Sequence, residues 1–143
     1  MFRIILVLLR AFAAGLLSML VFHQGALAGL HQLGATGIEA WRMTPGWPLG
    51  MPVLLTHLLW GGVWGVALWS LLRNAEAAGY YVGAILLGAA LPSAAALFVA
   101  LPMAGRTAAV GWDMHFIAGM LVLNAIWGLG TALLLRLFMR PAA

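Results

Sequence analysis

Residues 4–30 read IILVLLRAFAAGLLSMLVFHQGALAGL, an apolar run in which Arg10 is the only charged side chain. A helix needs about 20 apolar residues to cross a hydrocarbon core about 30 Å thick, so this run predicts a membrane span. Its beginning resembles a secretory signal peptide, because Arg3 precedes an apolar run that ends near Ala26-Leu27-Ala28. The charge at Arg10 and the length of the run favour a retained first helix instead.

Three further stretches of similar length and polarity follow, at residues 51–72, 80–103 and 114–138. Apolar residues make up 65% of the chain and charged residues 7%, whereas soluble domains average about 45–50% and about 25%. So few charges exclude a soluble globular domain, a disordered chain and a nucleic-acid binder. We therefore predict an all-α membrane protein, a four-transmembrane-helix bundle with short loops that forms one domain over residues 1–143.

The distribution of arginine predicts the orientation of the helices in the membrane. Two arginines, Arg42 and Arg106, fall in the first and third predicted loops. The other five lie at the two chain ends or in the second loop: Arg3, Arg10, Arg73, Arg136 and Arg140. Basic residues accumulate on the cytoplasmic side, so we predict that both termini are cytoplasmic. The expected location is the inner membrane of a bacterium, with the first and third loops facing the periplasm.

Small residues recur at four-residue spacing, as in Gly25-xxx-Gly29, Gly61-xxx-Gly65, Gly79-xxx-Gly83 and Ala84-xxx-Gly88. Lipid tails are as apolar as leucine, so helices associate where small residues allow their backbones to approach closely. We expect these glycine-rich faces to pack helices within the chain. They also predict contacts with other membrane-protein subunits or with a second copy of the chain.

A first group of polar residues lies about ten residues from the predicted outer ends of the spans: His23, Gln24, Ser93 and Asn124. One interpretation is a small polar site that binds a ligand, cofactor or ion. The other is interhelical hydrogen bonding, worth about 0.6 kcal/mol per contact. The middle of each span lacks Asp, Glu, Lys and Arg, whereas proton-coupled transporters commonly carry an intramembrane carboxylate.

A second group lies closer to the predicted periplasmic face and contains His31, His57 and His115, with Met51 and Met114 at a similar level. Imidazole and thioether groups together favour copper, so these residues form a candidate metal site. Alternatively, His57 and His115 could bind a haem iron from opposite sides, or the histidines could ligate a chlorophyll-type pigment. The structural interpretation is that water hydrates interfacial histidines while methionines fill gaps between helices.

These observations favour three functions. We predict a non-catalytic accessory or assembly subunit of a larger membrane complex, of the electron-transfer or photosynthetic kind, because the loops are short and the helices rich in packing glycines. One alternative is a haem- or copper-binding membrane protein that uses the outer histidines. The other is a small oligomeric transporter or channel that uses the deeper polar group. The expected partners are the lipid bilayer and other membrane subunits, and not nucleic acid.

Overall fold

The computed structural model describes residues 2–139 and contains, within them, four helices long and apolar enough to cross a membrane. They are α1 (Phe2–Gln32), α2 (Val53–Leu72), α3 (Ala77–Met103) and α4 (Met114–Phe138). No β-strand occurs in the described part of the chain, where a single isolated bridge pairs Pro45 with Pro52. Within the described residues, the prediction of an all-helical protein with four helices long and apolar enough to span a membrane is confirmed. Arg140, which was counted in the charge distribution, lies outside the described residues.

Local sequence explains where the helices begin. The Asp113 carboxylate accepts hydrogen bonds from the backbone N–H groups of His115 (3.0 Å) and Phe116 (3.2 Å), which caps the first turn of α4. At the start of α2, the N–H groups of Val53 and Leu54 donate to loop carbonyls, at 3.0 Å each. The first loop therefore folds back onto the first turn of α2.

Glycines bring the helices together in two tight pairs. A Cβ placed at Gly65 of α2 would lie 2.7 Å from the Cα of Gly15 in α1. A Cβ placed at Gly88 of α3 would lie 2.7 Å from the Cα of Gly128 in α4. Only residues without side chains allow backbones to approach this closely, so the predicted packing roles of Gly61-xxx-Gly65 and Ala84-xxx-Gly88 are confirmed.

The two pairs meet where α1 packs against α4, around Trp127. This side chain is 1% exposed, and its indole Nε1 donates a 2.9 Å hydrogen bond to the carbonyl of Gly15. In the other direction, the Ser18 hydroxyl donates a 2.7 Å bond to the carbonyl of Trp127. In contrast, α3 packs mainly against α4 and makes fewer contacts with α2.

Two of the long helices are irregular where a π turn inserts an extra residue. In α1 the π turn covers Met19–His23, and in α3 it covers Ala96–Ala100, directly after the turn that begins at Pro92. In α1, the N–H of Gln24 donates to the carbonyl of Met19, five residues earlier instead of four. Such turns leave backbone carbonyls open to other donors, which matters for the site described next.

Candidate functional site

The structure places the two groups of polar residues differently from their predicted arrangement. The deeper group separates into two parts. Asn124 Nδ2 of α4 donates a 2.9 Å hydrogen bond to the Ser93 hydroxyl of α3, and both residues are buried. His23 and Gln24 instead lie on α1, which makes no direct packing contact with α3. The Asn124–Ser93 hydrogen bond joins α3 to α4, as in the interpretation of interhelical bonding.

The outer histidines also separate. His31 and His115 are exposed, and His31 Nδ1 lies 3.2 Å from the carbonyl oxygen of Thr36 in the first loop. Met114 is 67% exposed. Within residues 2–139, no group of three His, Cys, Asp or Glu side chains is arranged to hold a metal ion. His31, His57 and His115 therefore do not form a three-histidine cluster.

His57 instead lies beside His23, a residue of the predicted deeper group. The two ring centroids are 6.3 Å apart, and the ring planes meet at 60°. Both residues are partly buried between α1 and α2. The Nδ1 atom of His23 is buried without a hydrogen-bond partner, which is uncommon because buried polar atoms are nearly always paired. Thus one imidazole of the pair has a free nitrogen in the interior.

The packing of α1 against α2 explains why these two histidines meet. Gly15 faces Gly65, Met19 faces Gly61, and His23 faces His57. Each step is four residues along both helices, so these side chains share one face of each antiparallel helix. In this register α1 extends past the start of α2. Counting residues from the helix ends therefore assigned His23 to the deeper group and His57 to the outer group, although the two side chains are neighbours.

The first loop covers this region through Trp41. The Trp41 backbone N–H donates a 2.8 Å hydrogen bond to Oε1 of Gln24, which is 2% exposed. The Trp41 indole Nε1 donates a 3.1 Å bond to the carbonyl of Leu20. In a regular helix that carbonyl would accept from the Gln24 N–H, which the π turn redirects to Met19. The irregular turn of α1 and the docking of the loop are thus coupled.

A small cavity of about 30 Å³ lies beneath the loop, between α1 and α2. Four polar residues line it: Gln24, Glu39, Arg42 and His57. A cavity of this size accommodates about one water molecule or a single ion, and it is far too small for a porphyrin. The pocket therefore combines an imidazole, an amide, a carboxylate and a guanidinium around a space suited to a very small polar species.

Sequence reasoning missed the contributions of Trp41, Glu39 and Arg42 to this pocket. Arg42 was interpreted only as a topology signal. The available signal was the four-residue spacing of Gly15, Met19 and His23 on α1, which repeats as His57, Gly61 and Gly65 on α2. No sequence pattern predicted the contacts of Trp41 with α1, because they depend on a π turn for which the sequence contains no recognisable pattern.

Comparison with known proteins yields no relative: no protein-family profile, no curated protein sequence and no solved structure matches this chain. The function must therefore be inferred from the geometry of the chain itself.

Proposed function

We propose that this chain is a non-catalytic accessory subunit of the bacterial inner membrane, which associates laterally with other transmembrane helices. Two features support the proposal. The interior polar groups of the helices are mostly bonded within the chain, as in the Asn124–Ser93 pair and the Ser18–Trp127 bond. In contrast, the described part of the chain places no atom within 4 Å of a Cβ added at Gly25 or Gly29 of α1.

The observation that carries the proposal is the difference between two sets of glycines. A Cβ at Gly15, Gly65 or Gly128 would collide with the backbone of a neighbouring helix. A Cβ at Gly25 or Gly29 would meet nothing within 4 Å. Glycines cost helical stability relative to alanine, by about 1 kcal/mol each, and this cost is offset when another helix approaches. The pair Gly25-xxx-Gly29 therefore supports a contact with a helix from another chain.

The test is to substitute both glycines and measure association. In mild detergent, we expect the wild-type protein to be recovered in a particle clearly heavier than its 15.2 kDa chain. Gly25→Leu combined with Gly29→Leu should release the chain from that particle, because leucine side chains prevent close approach. Gly119→Leu is the matched control, since Gly119 is also open but lies on α4.

Light scattering after size-exclusion chromatography measures the particle mass, and mass spectrometry identifies its components. A second copy of this chain would make the assembly a homo-oligomer, and a different protein would make it a hetero-complex. The proposal is wrong if the wild-type chain runs alone, or if the double variant keeps the same particle as Gly119→Leu.

A second candidate function is binding of a single copper ion between His23 and His57, next to the pocket beneath the first loop. Imidazole nitrogen suits copper, and the buried unpartnered Nδ1 of His23 is available as a ligand. The residues do not fit a haem between His57 and His115, because the cavity beside His57 has a volume of only about 30 Å³.

Copper titration separates this candidate from the first one. We expect about one copper(I) ion per chain to remain after desalting in the wild-type protein and in His115→Gln, whose histidine is exposed. His57→Gln should lose that ion, because one of two imidazole ligands is removed. Equal copper retention in His57→Gln, or no retention in the wild type, would exclude the copper site.

A further inference from the structure

A second groove lies at the opposite end of the helices from the histidine pocket, between α2, α3 and α4. Its volume is about 180 Å³, and two arginines line it: Arg73, directly after α2, and Arg136, in the last turn of α4. Trp69, Leu72 and Leu135 form an apolar wall of the groove. Among residues 2–139, no aspartate or glutamate lines the groove, and its charged side chains are the two arginines.

Aromatic rings hold the two guanidinium groups in place. The guanidinium carbon of Arg136 lies 4.6 Å from the ring centre of Tyr80 and 4.9 Å from that of Tyr81. The Tyr80 hydroxyl donates a 3.0 Å hydrogen bond to the carbonyl of Ala132, which fixes the ring against α4. A guanidinium stacked on aromatic rings keeps its N–H donors at its edge, where they can bind a phosphate in a bidentate manner.

Arg73 is held similarly, with its guanidinium carbon 5.8 Å from the centre of the Trp69 ring. One arginine therefore follows the end of α2 and the other lies in the last turn of α4, and both line the same groove. Arginines near helix ends also interact with the last carbonyls of the helix, which is the structural alternative to ligand binding. That alternative predicts an effect on stability alone, and it gives no preference among lipids.

We propose that this groove binds the headgroup of an anionic phospholipid, with Arg73 and Arg136 at the phosphate and the apolar wall along an acyl chain. The charge of the groove is complementary to a negative headgroup. Its apolar wall belongs to helices that span the membrane, so that wall offers a surface for an acyl chain. Basic pockets between transmembrane helices bind anionic lipid headgroups by this combination of charge and apolar contact.

The experiment measures bound lipid by native mass spectrometry of the purified full-length chain in detergent. Phosphatidylglycerol and phosphatidylcholine are titrated separately, because they share a phosphate and acyl chains but differ in net charge. We expect wild-type protein to bind phosphatidylglycerol roughly 30-fold more tightly, as two basic residues close to an anionic lipid would give.

The double variant Arg73→Gln, Arg136→Gln should lose this preference almost completely. Arg106→Gln is the control for loss of a surface arginine, because it removes one positive charge from an exposed position in the third loop. Arg136→Lys keeps the charge but lacks the planar guanidinium, and we expect it to retain only part of the preference. The thermal unfolding midpoint of each variant, measured in detergent alone, separates loss of fold from loss of lipid binding.

Three results would overturn the proposal. The first is equal binding of the two lipids by the wild type. The second is a preference for phosphatidylglycerol that is the same in the double variant and in Arg106→Gln. The third is full displacement of phosphatidylglycerol by millimolar inorganic phosphate, because the groove would then be a site for free phosphate and not for a lipid.

Discussion

At the scale of single residues, Trp127 connects more of the molecule than any sequence pattern indicated. Its indole Nε1 donates to the carbonyl of Gly15, and its own carbonyl accepts from the hydroxyls of Ser18 and Thr131. The next residue, Gly128, makes the close contact with Gly88 of α3. Trp127 therefore supplies one partner to each of these two hydrogen bonds between α1 and α4.

Replacing this indole tests that role. Trp127→Phe removes the bond to the Gly15 carbonyl and leaves a small void, so we expect a loss of about 2 kcal/mol in the free energy of unfolding. Trp112→Phe is the control, because Trp112 is 68% exposed in the third loop and should change stability by less than about 0.5 kcal/mol. Denaturant unfolding in detergent micelles measures both. Equal effects would show that the buried indole contributes nothing specific.

At the scale of helices, hydropathy predicted the four spans because length and polarity are local properties of the sequence. The structure begins α3 at Ala77 and α2 at Val53, within three residues of the predicted boundaries. The pocket beneath the first loop could not be predicted from hydropathy, because it depends on the register in which α1 packs against α2. That register follows from the contact of Gly15 with Gly65, and it brings His23 to His57.

If glycines set this register, then adding a single methyl group should disturb it. A Cβ at Gly65 would lie 2.7 Å from the carbonyl oxygen of Ala11 and from the Cα of Gly15, and neither backbone atom can move alone. We therefore expect Gly65→Ala to destabilise the protein by about 1–3 kcal/mol. Gly79→Ala, in α3 with open space around it, should instead be neutral or stabilise by up to about 1 kcal/mol.

The test is whether the two substitutions change the thermal unfolding midpoint in opposite directions. Thermal unfolding in detergent should shift the midpoint of Gly65→Ala downward, and that of Gly79→Ala should stay unchanged or rise. Copper or lipid binding is not needed for this comparison. If both variants gain stability, helix propensity dominates at both positions and close packing of α1 on α2 is not required.

At the scale of the whole molecule, the two ends of the helices differ in chemistry. One end carries the pocket of Gln24, Glu39, Arg42 and His57 beneath the first loop, and the other carries the arginine groove of Arg73 and Arg136. The arginine count of the loops predicts that the groove faces the cytoplasm. An anionic lipid in the groove and an ion in the pocket would then meet different compartments, so the orientation of the chain decides what each site can bind.

The orientation can be measured directly, because the chain contains no cysteine and any introduced thiol is unique. Glu39→Cys places a thiol in the first loop and Glu76→Cys places one in the second; both positions are exposed. If the termini are cytoplasmic, a membrane-impermeant maleimide added to cells with a permeabilised outer membrane should label Glu39→Cys and leave Glu76→Cys unlabelled until lysis. Since the loops join successive spans, they must lie on opposite faces whenever the helix between them crosses the membrane. The reverse pattern would place the arginine groove outside, and labelling of both thiols in intact cells would mean that α2 does not cross the membrane.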